Sequence, residues 1–378
     1  MVCAPGAEGA HAPEFRYLAS HCALEAGRVF DRVLRADPEL ALEAAGDVDA
    51  VLLLSSDRIL IGRRTLGALA AAIGGGALEA RPPLLSAIAP ALSSGSPPPV
   101  YTLRGYERLE RCALEGSFAA AGAPPLRAPV SLLAADWFRR LGERVPIGGL
   151  LAGAHSGPEL EPPGDRLAVA GLCHEFIDYY GEVREDVLPF LPAAARNVLE
   201  VGCGRGATGA LIQERLGCRV TGVELNPVVA REAARRLHRV LCGDVQSLEL
   251  DGPYDAVLAL ELVEHLVEAE AFLERITSLL APGGRAILSI PNVGHYSVVE
   301  DLIAGRWDYL PVGLLCYTHY RFFTRATLTD WLERSGVERF ELVPQRTEPP
   351  ADPERFGAHP DADLDSLSTK GFYVLIQC

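Results

Sequence analysis

Two sets of residues in this sequence have the types and the spacing for chemistry. The first is the run NVLEVGCGRGATG, Asn197 to Gly209, where Gly202, Gly204 and Gly206 alternate behind an apolar stretch containing Glu200. Glycines this dense let a backbone approach a ligand closely and take left-handed turns. Gly202, Gly204 and Ala207 fit the G-x-G-x-x-A spacing of a dinucleotide fingerprint, and Glu224 follows where an acid holds a ribose. Its carboxylate can accept both ribose hydroxyls. The second set is Glu261, Glu264 and His265, with His295 and His319 further on. Imidazole is the usual proton acceptor near neutral pH. On a helix starting at Glu261, the first three would share one face. With His319 they make an oxygen and nitrogen donor set suited to Mg2+ or Mn2+.

The surrounding chain alternates strand and helix. Strands are expected at Val198–Val201, Arg219–Glu224, Arg239–Cys242, Tyr254–Leu260 and Arg285–Ile290. Helices are expected at Ala207–Leu216, at Val228–Leu237 behind Pro227, and at Leu266–Leu280. A helix at Arg325–Ser335 and strands near Val337–Val343 and Phe372–Gln377 follow. This repetition predicts a doubly wound parallel sheet with its ligand at the carboxyl ends of the strands. Leu167–Leu191 reads as a further helix leading into the Gly-rich strand.

The 378 residues suffice for two domains. Stretches 81–99 and 142–165 are rich in Pro and Gly, and the second marks the expected boundary, giving domains 1–165 and 166–378. Hydrophobic content of 49% and charged content of 22% are globular values. A net charge of −15 argues against a general nucleic-acid partner, which needs a basic face. Nine scattered cysteines without C-x-x-C spacing suggest a reduced, cytoplasmic compartment. No apolar run has the length of a transmembrane segment.

Read from Glu200 as E-x-G-x-G-x-G, the glycine run resembles the first motif of class I S-adenosylmethionine-dependent methyltransferases. GVELNP, LCGDV, PYDAVLALELVEHL and LLAPGGRAILSIPN resemble the family's later motifs in order and spacing, over roughly residues 174–378. The resemblance implies a Rossmann-like, mostly parallel seven-stranded sheet with an antiparallel last strand, preceded by a smaller α/β domain. It implies S-adenosylmethionine rather than NAD. The implied cofactor-binding set is Glu200, Gly202, Cys203, Gly204, Gly206, Glu224, Leu225, Asp244, Val245, Leu260 and Tyr180. Tyr179 and Tyr180 could close over the sulfonium or simply pack on the domain. His265, His319 and His295 are the candidate bases, His265 first among them.

The stretch from Pro291 to Arg325 resembles methyltransferases found with glycosyltransferases of bacterial surface polysaccharides. That implies O-methylation of a sugar hydroxyl, with Trp307, Tyr309, Tyr317 and Tyr320 stacking on sugar rings or forming a small core of their own. LELVEHL also resembles the ubiquinone-pathway enzymes, which implies a small natural product or quinone-like phenol as acceptor. A binding module without turnover is the third alternative. The E-x-x-E-H run with a later His resembles metal-dependent methyltransferases of small-RNA ribose, from which Thr318 departs where those have an acid. The first half weakly resembles a nucleotide-sugar-binding domain, with a strand in 47–57 ending at Asp57 and a turn and helix from Arg58. It lacks a D-x-D pair, which leaves a degenerate or recognition domain, or docking to glycan-assembly enzymes.

Overall fold

A computed structural model of the protein describes residues 2–3, 13–30, 48–54, 59–82, 100–115, 130–142, 166–175, 180–310, 312–350, 352, 356–357 and 362–377. The chain divides into two compact units, Met1–Phe176 and Ile177–Cys378, a later division than the expected cut near residue 165.

The described strands of the first unit are β1 (Val2–Cys3), β2 (Ala50–Leu54), β3 (Ile59–Ile61), β4 (Glu79–Arg81), β5 (Val130–Ala134), β6 (Arg166–Ala168) and β7 (Cys173–Glu175). Five form a mixed sheet of order β1-β2-β5-β4-β6, and β3 pairs with β7. The helices are α1 (Pro13–Ala26), α2 (Arg63–Gly74), α3 (Leu103–Leu114) and α4 (Ala135–Gly142). The start of α2 is closed by a buried acid from α3. Glu110 accepts from the Thr65 backbone at 2.9 Å and from its hydroxyl at 2.7 Å. Gly62 must be bare there, since a Cβ would sit 2.5 Å from the Glu110 carboxylate. The expected turn after Arg58 is strand β3, and Asp57 lies outside the described residues.

The expected helix Leu167–Leu191 does not form. Its described residues include β6, β7 and a 3-10 turn, Glu185–Phe190. The apolar positions serve two masters: Val169 and Cys173 lie in the core of the first unit, Val187 and Leu191 in that of the second. Gly171, at φ 139°, and Pro189 also interrupt any helical register.

The second unit carries β8 (Asn197–Val201), β9 (Arg219–Glu224), β10 (Arg239–Cys242), β11 (Tyr254–Leu260), β12 (Leu280–Pro291), β13 (Phe340–Arg346) and β14 (Thr369–Gln377). Its helices are α5 (Ala207–Leu216), α6 (Pro227–Ala233), α7 (Ala269–Ser278), α8 (Tyr296–Ile303), α9 (Arg325–Arg334) and α10 (Leu364–Leu367). The seven strands order β10-β9-β8-β11-β12-β14-β13, with β14 antiparallel to both neighbours. This is the expected Rossmann-like sheet. Apolar cores cover both faces, as strands buried on two sides require. Strand order reverses between β8 and β11, so a ligand crevice opens at their carboxyl ends. The glycine turn leaves β8 there, and Glu261 to His265 leave β11 beside it.

Candidate functional site

Gly202, Gly204 and Gly206 take φ values of 74°, 52° and 75°, which side-chain-bearing residues resist. The Gly202 and Cys203 N–H groups donate to the Val223 carbonyl at 2.9 and 3.1 Å, tying the turn to β9. A Cβ on Gly204 would lie 2.5 Å from the Tyr180 carbonyl oxygen, which also accepts from Arg205 N at 2.8 Å. The bare backbone therefore first accommodates the chain's own crossing segment. Tyr180 meets the turn through this carbonyl; Tyr179 lies outside the described residues.

Glu224 is buried, with Oε2 accepting from Gly204 N at 3.0 Å and Oε1 from Asn226 N at 2.8 Å. Burial raises its pKa while these N–H groups pull it back. Glu200 lies beneath α5, its Oε2 without a hydrogen-bond partner among the described residues. Burial pushes its carboxyl up to about 8, against a Gly209 hydrogen bond. Cys203 is buried, and burial raises its thiol pKa, so the thiol is inert. Leu225 is 69% exposed beyond Glu224, an apolar surface facing open space. Asp244 is exposed and orders its loop by accepting from Gln246 N at 2.9 Å; Val245 beside it is buried. Leu260 is half-buried at the end of β11.

The segment after β11 is no helix. Glu261 adopts φ 50°, the only non-glycine with positive φ among the described residues, and Val263–His265 forms a 3-10 turn. Glu261 N donates to the Ser289 carbonyl at 3.0 Å, and the Ser289 hydroxyl donates to the Glu261 carboxylate. Glu264 points inward instead, fully buried, with neither carboxylate oxygen hydrogen-bonded among the described residues. Burial, and then the charge of Glu261, push its pKa well above the carboxylate range.

His319 Nε2 lies 3.9 Å from Glu264 Oε1, and the His265 and His319 rings meet edge-on at 4.6 Å. Burial lowers His265 to about 4; burial and His265 lower His319 to about 3. Both rings are neutral near pH 7. One ligand atom each from Glu264, His265 and His319 lie within 4.8 Å of one another. Three of the four expected metal-ligating residues thus converge, and Glu261 is turned to Ser289. The backbone assembles the trio, since Tyr320 N donates to the Glu264 carbonyl at 2.8 Å.

His295 belongs elsewhere. It caps α8, its Nδ1 2.8 Å from Ser297 Oγ and its Nε2 3.0 Å from Thr347 Oγ1, and it is fully buried. Both ring nitrogens are engaged in structure, which leaves none to serve an acceptor. Trp307 and Tyr309 gather on Phe322 at 5.1 and 6.4 Å, and His319 joins them at 6.0 Å. Tyr320 is 68% exposed and Tyr317 half-buried.

One residue with no signal in its spacing stands out in three dimensions. Arg184 N donates to Thr208 Oγ1 at 3.1 Å, and its guanidinium lies 5.4 Å over the Tyr373 ring. Nε reaches Asp186 at 3.1 Å and Nη2 donates to the Tyr373 hydroxyl; Nη1 has no hydrogen-bond partner among the described residues. Against burial, Asp186, Tyr373 and Glu261 hold it protonated. Tyr373 stands opposite Ser289 across the β12–β14 ladder, and Ser289 holds Glu261. Directly opposite residues stand about 5 Å apart at Cβ. A guanidinium and a carboxylate therefore flank one cross-strand pair at the crevice.

Residues 174–342 match the family described as "Methyltransferase domain". A ubiquinone biosynthesis O-methyltransferase of Xanthomonas axonopodis pv. citri is 34% identical over 174 residues, 42% of this chain and 69% of the relative. One of Xylella fastidiosa is 30% identical over 173 residues, 42% of this chain and 68% of its own. A solved structure from Thermotoga maritima, a methyltransferase described as possibly acting on histamine nitrogen, covers 50% of this chain and 84% of its own, at 22% identity and a TM-score of 0.37. Among the described residues no helix is long and apolar enough to cross a membrane.

Proposed function

The chain belongs to the class I S-adenosylmethionine-dependent methyltransferases, and on that premise we propose that it methylates the oxygen of a small phenolic or quinone-like acceptor. The observation that carries this is the pair of neutral imidazoles against a buried carboxylate at the end of β11. O-methylation needs a lone pair aligned with the methyl group and a place for the hydroxyl proton. A ring held at about 4 lies about six pKa units below a phenol, taken at the tyrosine value of about 10. It lies much further below an alcohol, whose hydroxyl is about as weak an acid as water. The cluster therefore suits a phenol better than the sugar hydroxyl first expected. The relatives' names, ubiquinone biosynthesis O-methyltransferases, point the same way.

In this proposal the cofactor lies across the glycine turn, its ribose on Glu224 and its adenine between Leu225 and the Asp244–Val245 loop. Arg184 takes the methionine carboxylate and Glu261 the ammonium. His265 and His319 accept the acceptor's proton beside Glu264.

A second reading has its own support in the Glu264 oxygens, which have no hydrogen-bond partner among the described residues. Oxygen and nitrogen donors this close fit a hard divalent cation held by Glu264, His265 and His319. When bound, Mg2+ or Mn2+ would lower the acceptor hydroxyl's pKa. Docking of the first unit to glycan-assembly enzymes belongs to the sugar alternative.

The test is release of S-adenosylhomocysteine from S-adenosylmethionine with catechol-type acceptors and with deoxyhexosides, each after EDTA dialysis and after Mn2+ or Mg2+ addition. Turnover on catechols supports the proposal, and turnover on sugars alone replaces it. Activity that returns only with metal favours the cation. Tight cofactor binding with no turnover on any acceptor favours a binding module.

A further inference from the structure

A neutral imidazole has one N–H and one lone pair, and its outer partner decides which nitrogen carries which. Thr318 Oγ1 lies 3.0 Å from His265 Nδ1, and Cys316 Sγ lies 3.2 Å from the same hydroxyl. A hydroxyl has a single proton, so this chain can run in two directions. In one, the thiol donates to Thr318, Thr318 donates to Nδ1, and the His265 proton sits on Nε2. In the other, Nδ1–H donates to Thr318 Oγ1, and the Thr318 proton points to sulfur. The second uses a strong donor at each step and meets only one weak partner, the accepting sulfur at its end, whereas the first starts from a thiol, a weak donor.

We propose that Thr318 is the positioning residue of this site: its hydroxyl fixes His265 as the Nδ1–H tautomer and presents the Nε2 lone pair to Glu264 and His319. An acid in this place would fix the same tautomer but would add charge beside a buried carboxyl group that has no hydrogen-bond partner among the described residues. A hydroxyl orients the ring without that cost. The functional meaning rests on the proposed role of the cluster, but the tautomer can be read without turnover.

The experiment is long-range 1H–15N correlation of the full-length protein with 15N-labelled histidine near pH 7, the His265 signals identified by their loss in His265→Gln. The expected result is a single Nδ1–H form in the wild type, kept in Thr318→Ser and lost to Nε2–H or a mixture in Thr318→Val. S-adenosylhomocysteine affinity should be unchanged in both variants, which confirms the fold and checks the cofactor assignment separately. An Nε2–H form in the wild type overturns the proposal even if Thr318→Val does not fold. So does a folded Thr318→Val with the wild-type tautomer.

Discussion

Replacing Arg184 by Gln should separate the two ends of the cofactor. The guanidinium is mostly buried, stacked over Tyr373 and braced by Asp186, with no partner on Nη1 among the described residues. A hydrogen bond to a charged group contributes about 1.5–3 kcal/mol. Asp186 already offsets part of the charge, which places Arg184→Gln toward the lower end. That corresponds to a loss of about ten- to thirtyfold in S-adenosylhomocysteine affinity. 5′-Methylthioadenosine has the same adenine, ribose and sulfur but no amino-acid end, so its affinity should not change. Calorimetric titration of both ligands into wild type, Arg184→Gln and Glu261→Gln reads the difference directly. Glu261→Gln should show the same selectivity through the ammonium. Equal losses for both ligands would mean that Arg184 only supports the fold. No loss for either would refute the assignment of the amino-acid end.

Glu224→Ala should weaken both ligands alike, because the ribose is common to them, by about 1.5–3 kcal/mol per hydrogen bond lost. Gly204→Ala should lower the denaturant midpoint without any cofactor present, by at least the roughly 1–2 kcal/mol cost of a left-handed L-residue, because its Cβ meets the Tyr180 carbonyl. Glu200 has its folded pKa raised to about 8, so it favours the folded state below its unfolded value and that contribution is lost as pH rises through about 8. Urea melts of the apo protein should show stability falling across that window, and Glu200→Gln should flatten the slope. Residues 177–378 expressed alone should bind S-adenosylhomocysteine as the full chain does, since every expected cofactor contact lies in that unit.

Much of the second unit was legible because its signals are local. Ala207–Leu216, Arg219–Glu224 and Tyr254–Leu260 form with the bounds their periodicity suggests. The glycine turn and Glu224 are fixed by short spacings on one βα unit. What failed was non-local. The apolar rhythm of Leu167–Leu191 looks continuous, yet its residues are divided between two cores. His295 and His265 are alike in sequence, but one is consumed as a helix cap and the other faces a buried acid. The face shared by Glu261, Glu264 and His265 required a helix that a left-handed Glu261 prevents. Arg184 carried no signal because its meaning depends on Tyr373, on the last strand of the sheet.

The contact between Tyr180 and Gly204 also bears on how such sequences diverge. A lineage that lost its cofactor would be released from keeping a ribose acid or a free guanidinium. It would not be released from keeping Gly204, because the carbonyl that excludes a side chain belongs to its own backbone. The glycine signature would therefore outlive the activity it is used to diagnose. Inactive descendants should be recognised by losses at Arg184, Glu224 and Glu261, while their glycines stay in place.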